Sequence, residues 1–200
     1  MTTPHPLFLV SAAWRAAFWV SYVTWFLVEL AIWSRDTRKV SGERRDRGSF
    51  FVVVACLVLG VYGAFAFAYR PDAPTIPLPP PLLLSAGLTL IWAGIALRLW
   101  AVATLGRFFR FTVVVQDDHR LITSGPYRYL RNPAYTGGLV TVIGVGLMLG
   151  GWTSLACIVC GVLAGYALRI RVEEQALKAR FGAQFDDYRR RSWAIIPFVW

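Results

Sequence analysis

Apolar residues dominate the chain from Leu7 to Trp33, from Phe50 to Ala68 and from Leu82 to Leu105. Each run approaches or exceeds the roughly 20 residues that carry a helix across the hydrocarbon core of a bilayer. Two shorter runs follow, Ala134 to Leu149 and Leu155 to Leu168, with only Gly150-Gly-Trp-Thr-Ser154 between them. That spacing predicts a tight helical hairpin that reaches only partly across the membrane or thins it locally. The chain is 56% hydrophobic and 16% charged, and the apolar excess lies in long runs. The expected fold is therefore all-α: a polytopic integral membrane helical bundle of about five transmembrane helices. Met1 to Pro6 carries no basic region, and no small-residue cleavage site follows the first run, which predicts a retained helix and not a signal peptide.

Lys and Arg number 21 against 11 Asp and Glu, a net charge of +10. Arg35, Arg38, Lys39, Arg44, Arg45 and Arg47 follow the first run, and further basic residues crowd the segment from Gln116 and the region beyond Leu168. The Pro-rich connection from Arg70 to Pro81 has a single Arg. This asymmetry predicts an N-terminus outside, with the C-terminus and both polar segments in the cytoplasm. Basic loops so placed suit the anionic headgroups of membrane lipid. They flank apolar runs and form no single stripe, so no nucleic-acid partner is expected, and no obligate protein partner is inferred. Only Lys39 and Lys178 are lysines among the 21 basic residues, a composition that suggests a GC-rich bacterial source and hence a bacterial inner membrane.

Within the runs, Gly161-Val-Leu-Ala-Gly165 is a small-xxx-small pattern, repeated one helix earlier by Gly146 and Gly150, and predicts close helix packing. Cys157 and Cys160 form a CxxC without polar company, which reads as buried small residues and not as a redox or metal site. Beyond Leu168 the helix is expected to leave the membrane, with Leu177, Phe181, Phe185 and Tyr188 on one face. That C-terminal amphipathic helix either lies on the headgroups or caps a cavity. Trp193, Phe198 and Trp200 after it suit the interface.

Two clusters carry residue types that a membrane bundle does not need. Arg169 and Glu173 lie four apart and share a helical face where the fifth run meets the cytoplasm. A surface ion pair of little energetic consequence accounts for them. So does a cation and an anion presented to a cavity, where Arg holds an anionic substrate and Glu faces a positive centre. The second cluster is Tyr127, Arg131, Asn132, Pro133 and Tyr135, behind the turn signal Gly125-Pro126. Pro133 suits the first turn of the fourth helix with Asn132 as its N-cap, and such a helix start offers N–H donors to a ligand. His119 has no second His or Cys at ligand spacing, so no metal is expected. There is no GxGxxG or P-loop pattern of a soluble nucleotide fold. Glu29, Arg15 and Arg98 lie within or near apolar runs, where charge must pair, face a cavity or snorkel; Arg98 and Glu29 either pair in the bundle or line a lipid entry path.

Taken in order, Gly-Pro-Tyr-x-x-x-Arg-Asn-Pro-x-Tyr-x-Gly (Gly125 to Gly137), Glu173-Glu174, Phe181-Gly182 and Tyr188 resemble the isoprenylcysteine carboxyl methyltransferases and the wider group containing phospholipid N-methyltransferases. The resemblance covers roughly 105–200, and divides the chain into N-terminal transmembrane helices (1–104, three spans) and a catalytic region (105–200). It implies a membrane methyltransferase with S-adenosyl-L-methionine as cofactor, bound at the cytoplasmic boundary. Carried over by position, Gln116, His119, Arg120, Leu121, Ile122, Tyr127, Asn132, Pro133, Ala134, Tyr135 and Glu173 contact the cofactor. Arg169 faces the substrate, and Arg169 and Glu173 are the catalytic pair. The implied substrate is lipophilic: an isoprenylcysteine-like group on a prenylated molecule, or a small isoprenoid or lipid acid, methylated at a carboxyl oxygen.

One position departs from the family, which usually has His where this chain has Asn132. Asn donates and accepts hydrogen bonds but does not take a proton as imidazole does, so the expectation is that the position holds the cofactor. Two rivals stand beside this reading. Lipid and sterol reductases, which use NADPH, share a similar C-terminal half that Ile195-Ile196-Pro197 also fits. A non-catalytic membrane scaffold would use the Tyr and Arg clusters as interfacial anchors.

Overall fold

Six helices carry the chain in a computed structural model that describes residues 6–36, 43–44, 48–109, 114–115 and 120–199. They are α1 (Ala12–Asp36), α2 (Ser49–Ala68), α3 (Pro80–Leu105), α4 (Pro133–Leu149), α5 (Trp152–Phe181) and α6 (Ala183–Arg190). Most of the basic segment 35–47 lies outside the described residues, as do Gln116, His119 and Trp200. The described backbone also holds one two-residue ladder, Glu43–Arg44 antiparallel to Val114–Val115.

Among the described residues, α1, α2, α3 and α5 are long and apolar enough to cross a membrane, and α4 is a shorter apolar helix. The protein is a multi-pass membrane protein. The helix of the fifth run continues beyond Leu168, as expected. It spans 30 residues, about 45 Å at 1.5 Å per residue, because Arg169, Arg171, Glu173 and Glu174 interrupt hydrophobicity without interrupting helix. The fourth helix is short, with 17 residues. Twelve of them are buried and none is exposed, with α3 and α5 packed against the helix, so protein more than lipid surrounds it.

Glycine determines how close α3 and α4 come. A Cβ on Gly94 would lie 2.5 Å from the Gly137 carbonyl oxygen, and one on Gly144 2.5 Å from that of Gly87. The two backbones therefore touch at two places seven residues apart, the approach that small residues permit in lipid. The same holds for α2 on α5, where a Cβ on Gly161 would meet the Cys56 carbonyl oxygen at 2.8 Å. Gly137→Ala should lower stability by about 1–3 kcal/mol through overpacking, read as a fall in the thermal midpoint in detergent. Gly63→Ala, whose Cβ would meet nothing nearer than 3.5 Å, should be neutral or stabilising.

The expected C-terminal amphipathic segment is two helices, not one. Gly182 at φ 51 ends α5, a left-handed conformation that L side chains avoid, and α6 restarts at once with Phe185 fully buried. The chain then doubles back to the start of α4. Trp193 N–H donates to the Tyr129 carbonyl (3.0 Å), Arg131 N–H to that of Trp193 (2.7 Å) and Asn132 N–H to that of Ala194 (3.1 Å). The Thr136 hydroxyl donates to the Ile195 carbonyl at 2.8 Å. This strap fixes the loop that precedes α4.

Candidate active site

Where the strap, α4 and α5 meet, the bundle encloses a cavity of about 390 Å³. Its wall is mostly apolar and draws on every helix. Phe26 and Leu30 of α1 and Val54 of α2 line it and are themselves exposed. Exposed Arg120 lines it at the polar end.

Arg169 and Glu173 meet as their spacing predicts, and they face the cavity. Arg169 is 2% exposed. Its Nε donates to Glu173 Oε1 at 2.7 Å and approaches the Tyr135 hydroxyl at 3.3 Å. Tyr135 donates its hydroxyl to the same carboxylate oxygen at 2.7 Å, and Arg169 Nη1 donates to Ser49 Oγ at 2.7 Å. One arginine is thus held by groups from α2, α4 and α5. A buried pair like this is costly to expose on one side only, since removing a partner strands a charge in low dielectric.

Arg120, Leu121, Ile122, Tyr127, Asn132, Ala134, Tyr135, Arg169 and Glu173 all line the same cavity. Pro133 is buried in the first turn of α4 and is not part of the wall. Asn132 precedes α4, as expected of a cap, but only its backbone caps: its carbonyl accepts from Tyr135 N–H (3.0 Å) and Thr136 N–H (3.1 Å), and its side chain makes no capping bond. Its Nδ2 is instead buried without a hydrogen-bond partner, and a buried amide donor in a cavity wall is a position that a ligand acceptor satisfies.

Behind this wall the loop is locked by tyrosine and arginine. Tyr188 donates its hydroxyl to the Tyr127 carbonyl at 2.7 Å. Arg131 Nε donates to Glu174 Oε1 at 2.8 Å, and its Nη1 to the Arg189 and Ser192 carbonyls. Burial pushes the Tyr127 phenol well above its usual range, with the Glu173 carboxylate adding to the shift. Burial does the same to Tyr188 against the opposing Arg131 charge. Both phenols therefore remain neutral donors across the physiological range.

Sequence reasoning left Glu29 and Arg98 unassigned, and it did not single out Ser49 or Tyr166. Arg98 and Glu29 form an ion pair between α3 and α1 in the cavity wall, with Arg98 Nη2 donating to Glu29 Oε2 at 2.7 Å and Nη1 to the Ala134 carbonyl at 3.0 Å. A signal existed for Tyr166, three residues before Arg169 and seven before Glu173 on the same helical face. Ser49 had none, because its contact with Arg169 joins positions 120 apart.

The family profile for phospholipid methyltransferases matches residues 82–184. Protein-S-isoprenylcysteine O-methyltransferase B of Arabidopsis thaliana is 36% identical over 115 residues, 56% of this chain and 58% of that one. Protein-S-isoprenylcysteine O-methyltransferase of Saccharomyces cerevisiae is 29% identical over 182 residues, 89% of this chain and 73% of that one. A solved structure of the eukaryotic intramembrane Ras methyltransferase ICMT (isoprenylcysteine carboxyl methyltransferase) is similar with a TM-score of 0.52 at 28% identity, covering 74% of this chain and 52% of that chain. The matched part spans 58% of the length of the Arabidopsis relative.

Proposed function

Because the chain belongs to the phospholipid methyltransferase family and within it is similar to the isoprenylcysteine O-methyltransferases, we propose that it transfers a methyl group from S-adenosyl-L-methionine to a carboxylate on a lipophilic, prenylated substrate. One observation carries the reading. Residues from separate parts of the chain converge on a single cavity whose wall holds both exposed apolar side chains of α1 and α2 and a charged Arg169–Glu173–Tyr135 cluster.

The donor set fits the cofactor. Leu121, Ile122 and Ala134 offer an apolar wall, the unpartnered Asn132 Nδ2 offers a donor, and Glu173 offers negative charge. Gln116 and His119 to Ile122, Tyr127, Asn132 to Tyr135 and Glu173 are the proposed cofactor contacts. When bound, the cofactor supplies an electrophilic methyl on a cationic sulfur. The chain's own residues do the rest. Arg169 holds the substrate carboxylate, whose oxygen is ionised at neutral pH and needs no general base. Asn132 in place of the family's His is compatible with this, since no proton moves there. Catalysis rests on orientation in a dry cavity and on Glu173 offsetting positive charge. Arg169 would hold the accepting carboxylate oxygen towards the methyl group that the cofactor, bound beside Glu173, would supply.

In this reading the prenyl tail reaches the cavity between α1 and α2 from the bilayer, and the cofactor arrives from the cytoplasm past Arg120. The basic segments support that orientation, with residues 105–200 as the catalytic region. Lysine-poor composition alone supports a bacterial inner membrane. The test is calorimetric titration of S-adenosylhomocysteine into the detergent-solubilised protein, with NADPH in parallel. Saturable binding of the first alone is expected. Binding of NADPH alone would move the protein to the reductases, and binding of neither to folded protein would favour a scaffold.

A further inference from the structure

Helix α2 lies ahead of residue 82, where the family match begins, yet beside the apolar side chains it gives to the cavity wall it brings a hydroxyl to Arg169. Ser49 is 7% exposed in the first turn of α2. A serine at a helix start ordinarily spends its hydroxyl on the helix's own N–H groups. Here Gly48 holds the cap position and no side chain caps the helix. The Ser49 hydroxyl instead accepts Arg169 Nη1 at 2.7 Å.

We infer that Ser49 is a positioning residue that sets the orientation of the Arg169 guanidinium toward the substrate carboxylate; this rests on the methyltransferase reading above. A guanidinium recognises a carboxylate through a planar fork, so its tilt matters as much as its charge. Glu173 and Tyr135 hold Arg169 at Nε. Those contacts fix one edge of the plane, and the Ser49 hydroxyl fixes it at an Nη. The support is rigid, because α2 is pressed against α5 at backbone distance: a Cβ on Gly161 would lie 2.9 Å from the Gly60 Cα. The helices outside the family match thus determine how the proposed substrate arginine is presented.

The test compares Ser49→Thr with Ser49→Val, two side chains of nearly one shape that differ in a hydroxyl. The substrate probe is an S-farnesylcysteine with an acylated amine, and S-adenosylhomocysteine is titrated into each variant. Ser49→Val should raise KM for the prenyl acid roughly tenfold or more, the size of effect expected for a hydrogen bond to a charged group. Ser49→Thr should stay near wild type, and cofactor-product affinity should not change in either. Calorimetric binding of the free prenyl acid to the S-adenosylhomocysteine-loaded protein should weaken in parallel, which gives a readout independent of turnover. Equal KM in the two variants overturns the inference, as does an equal loss of S-adenosylhomocysteine binding in Ser49→Val, which would mark a structural role. If Ser49→Val does not fold, Ser49→Ala takes its place in the same comparison. A folded wild type that binds no S-adenosylhomocysteine overturns the underlying reading, and this one with it.

Discussion

Arg169→Ala should lower kcat/KM on a prenylated carboxylic acid by roughly thirty- to a thousand-fold, the equivalent of about 2–4 kcal/mol for a close charge contact in a desolvated site. S-adenosylhomocysteine affinity should stay within about threefold of wild type, because the charged acceptor Glu173 and the donor Asn132 remain and a uniform loss of binding has no cause. The fold should survive, since the stranded Glu173 keeps the Tyr135 hydroxyl at 2.7 Å. Arg169→Lys should not rescue turnover. An ammonium is a point charge that cannot reproduce bonds from Nε to Glu173 and from Nη1 to Ser49 together with a planar face toward substrate. Steady-state kinetics of both variants on the prenyl acid decide this. Unchanged kcat/KM in Arg169→Ala would remove the residue from the substrate site.

Glu173→Gln should weaken S-adenosylmethionine binding by roughly ten- to a hundred-fold, since a hydrogen bond to a charged group contributes about 1.5–3 kcal/mol and the amide keeps shape while losing charge. S-adenosylhomocysteine lacks the sulfonium charge and should lose less. The contrast between the two titrations therefore reads charge and not packing. Glu173→Ala is the harsher change. It leaves Arg169, 2% exposed, without its carboxylate, and the cost of a broken buried pair is about 3–5 kcal/mol. A fall in thermal midpoint is expected for Glu173→Ala and only a small one for Glu173→Gln. Equal affinity of Glu173→Gln for both ligands, at wild-type strength, would take Glu173 out of the cofactor site.

Much of this site is legible in the sequence because its signals are local. Arg169 and Glu173 are one helical turn apart, and Asn132-Pro133 sits at a helix start, so spacing and capping rules reach them. The apolar runs locate the helices because hydrocarbon leaves the backbone few alternatives. What escaped is non-local. The Gly94–Gly137 and Gly87–Gly144 contacts join residues more than 40 positions apart, and nothing in either helix alone says which face its glycines present. The visible glycine pattern, Gly161 with Gly165, packs α5 against α2, a different pair from α3 and α4. Glu29 and Arg98 stood out as charges in apolar runs, and of the two alternatives that sequence left open, a mutual pair is what forms. The continuation of α5 beyond Leu168 was legible because Leu177 and Phe181 keep helical spacing past the end of the apolar run. Asn132 was read as a side-chain cap when its backbone suffices, which leaves the amide for a ligand.

The strap that returns from α6 to the start of α4 has a consequence for biogenesis. Helices α1 to α5 can enter the bilayer in order as they leave the ribosome, but the loop holding Tyr127 and Asn132 takes its backbone partners from Tyr188, Trp193, Ala194 and Ile195. The cavity wall around Tyr127 and Asn132 is therefore completed by residues that leave the ribosome last. A nascent chain arrested before residue 188 would hold helices α1 to α5, yet lack the partners that order the loop of the proposed cofactor site.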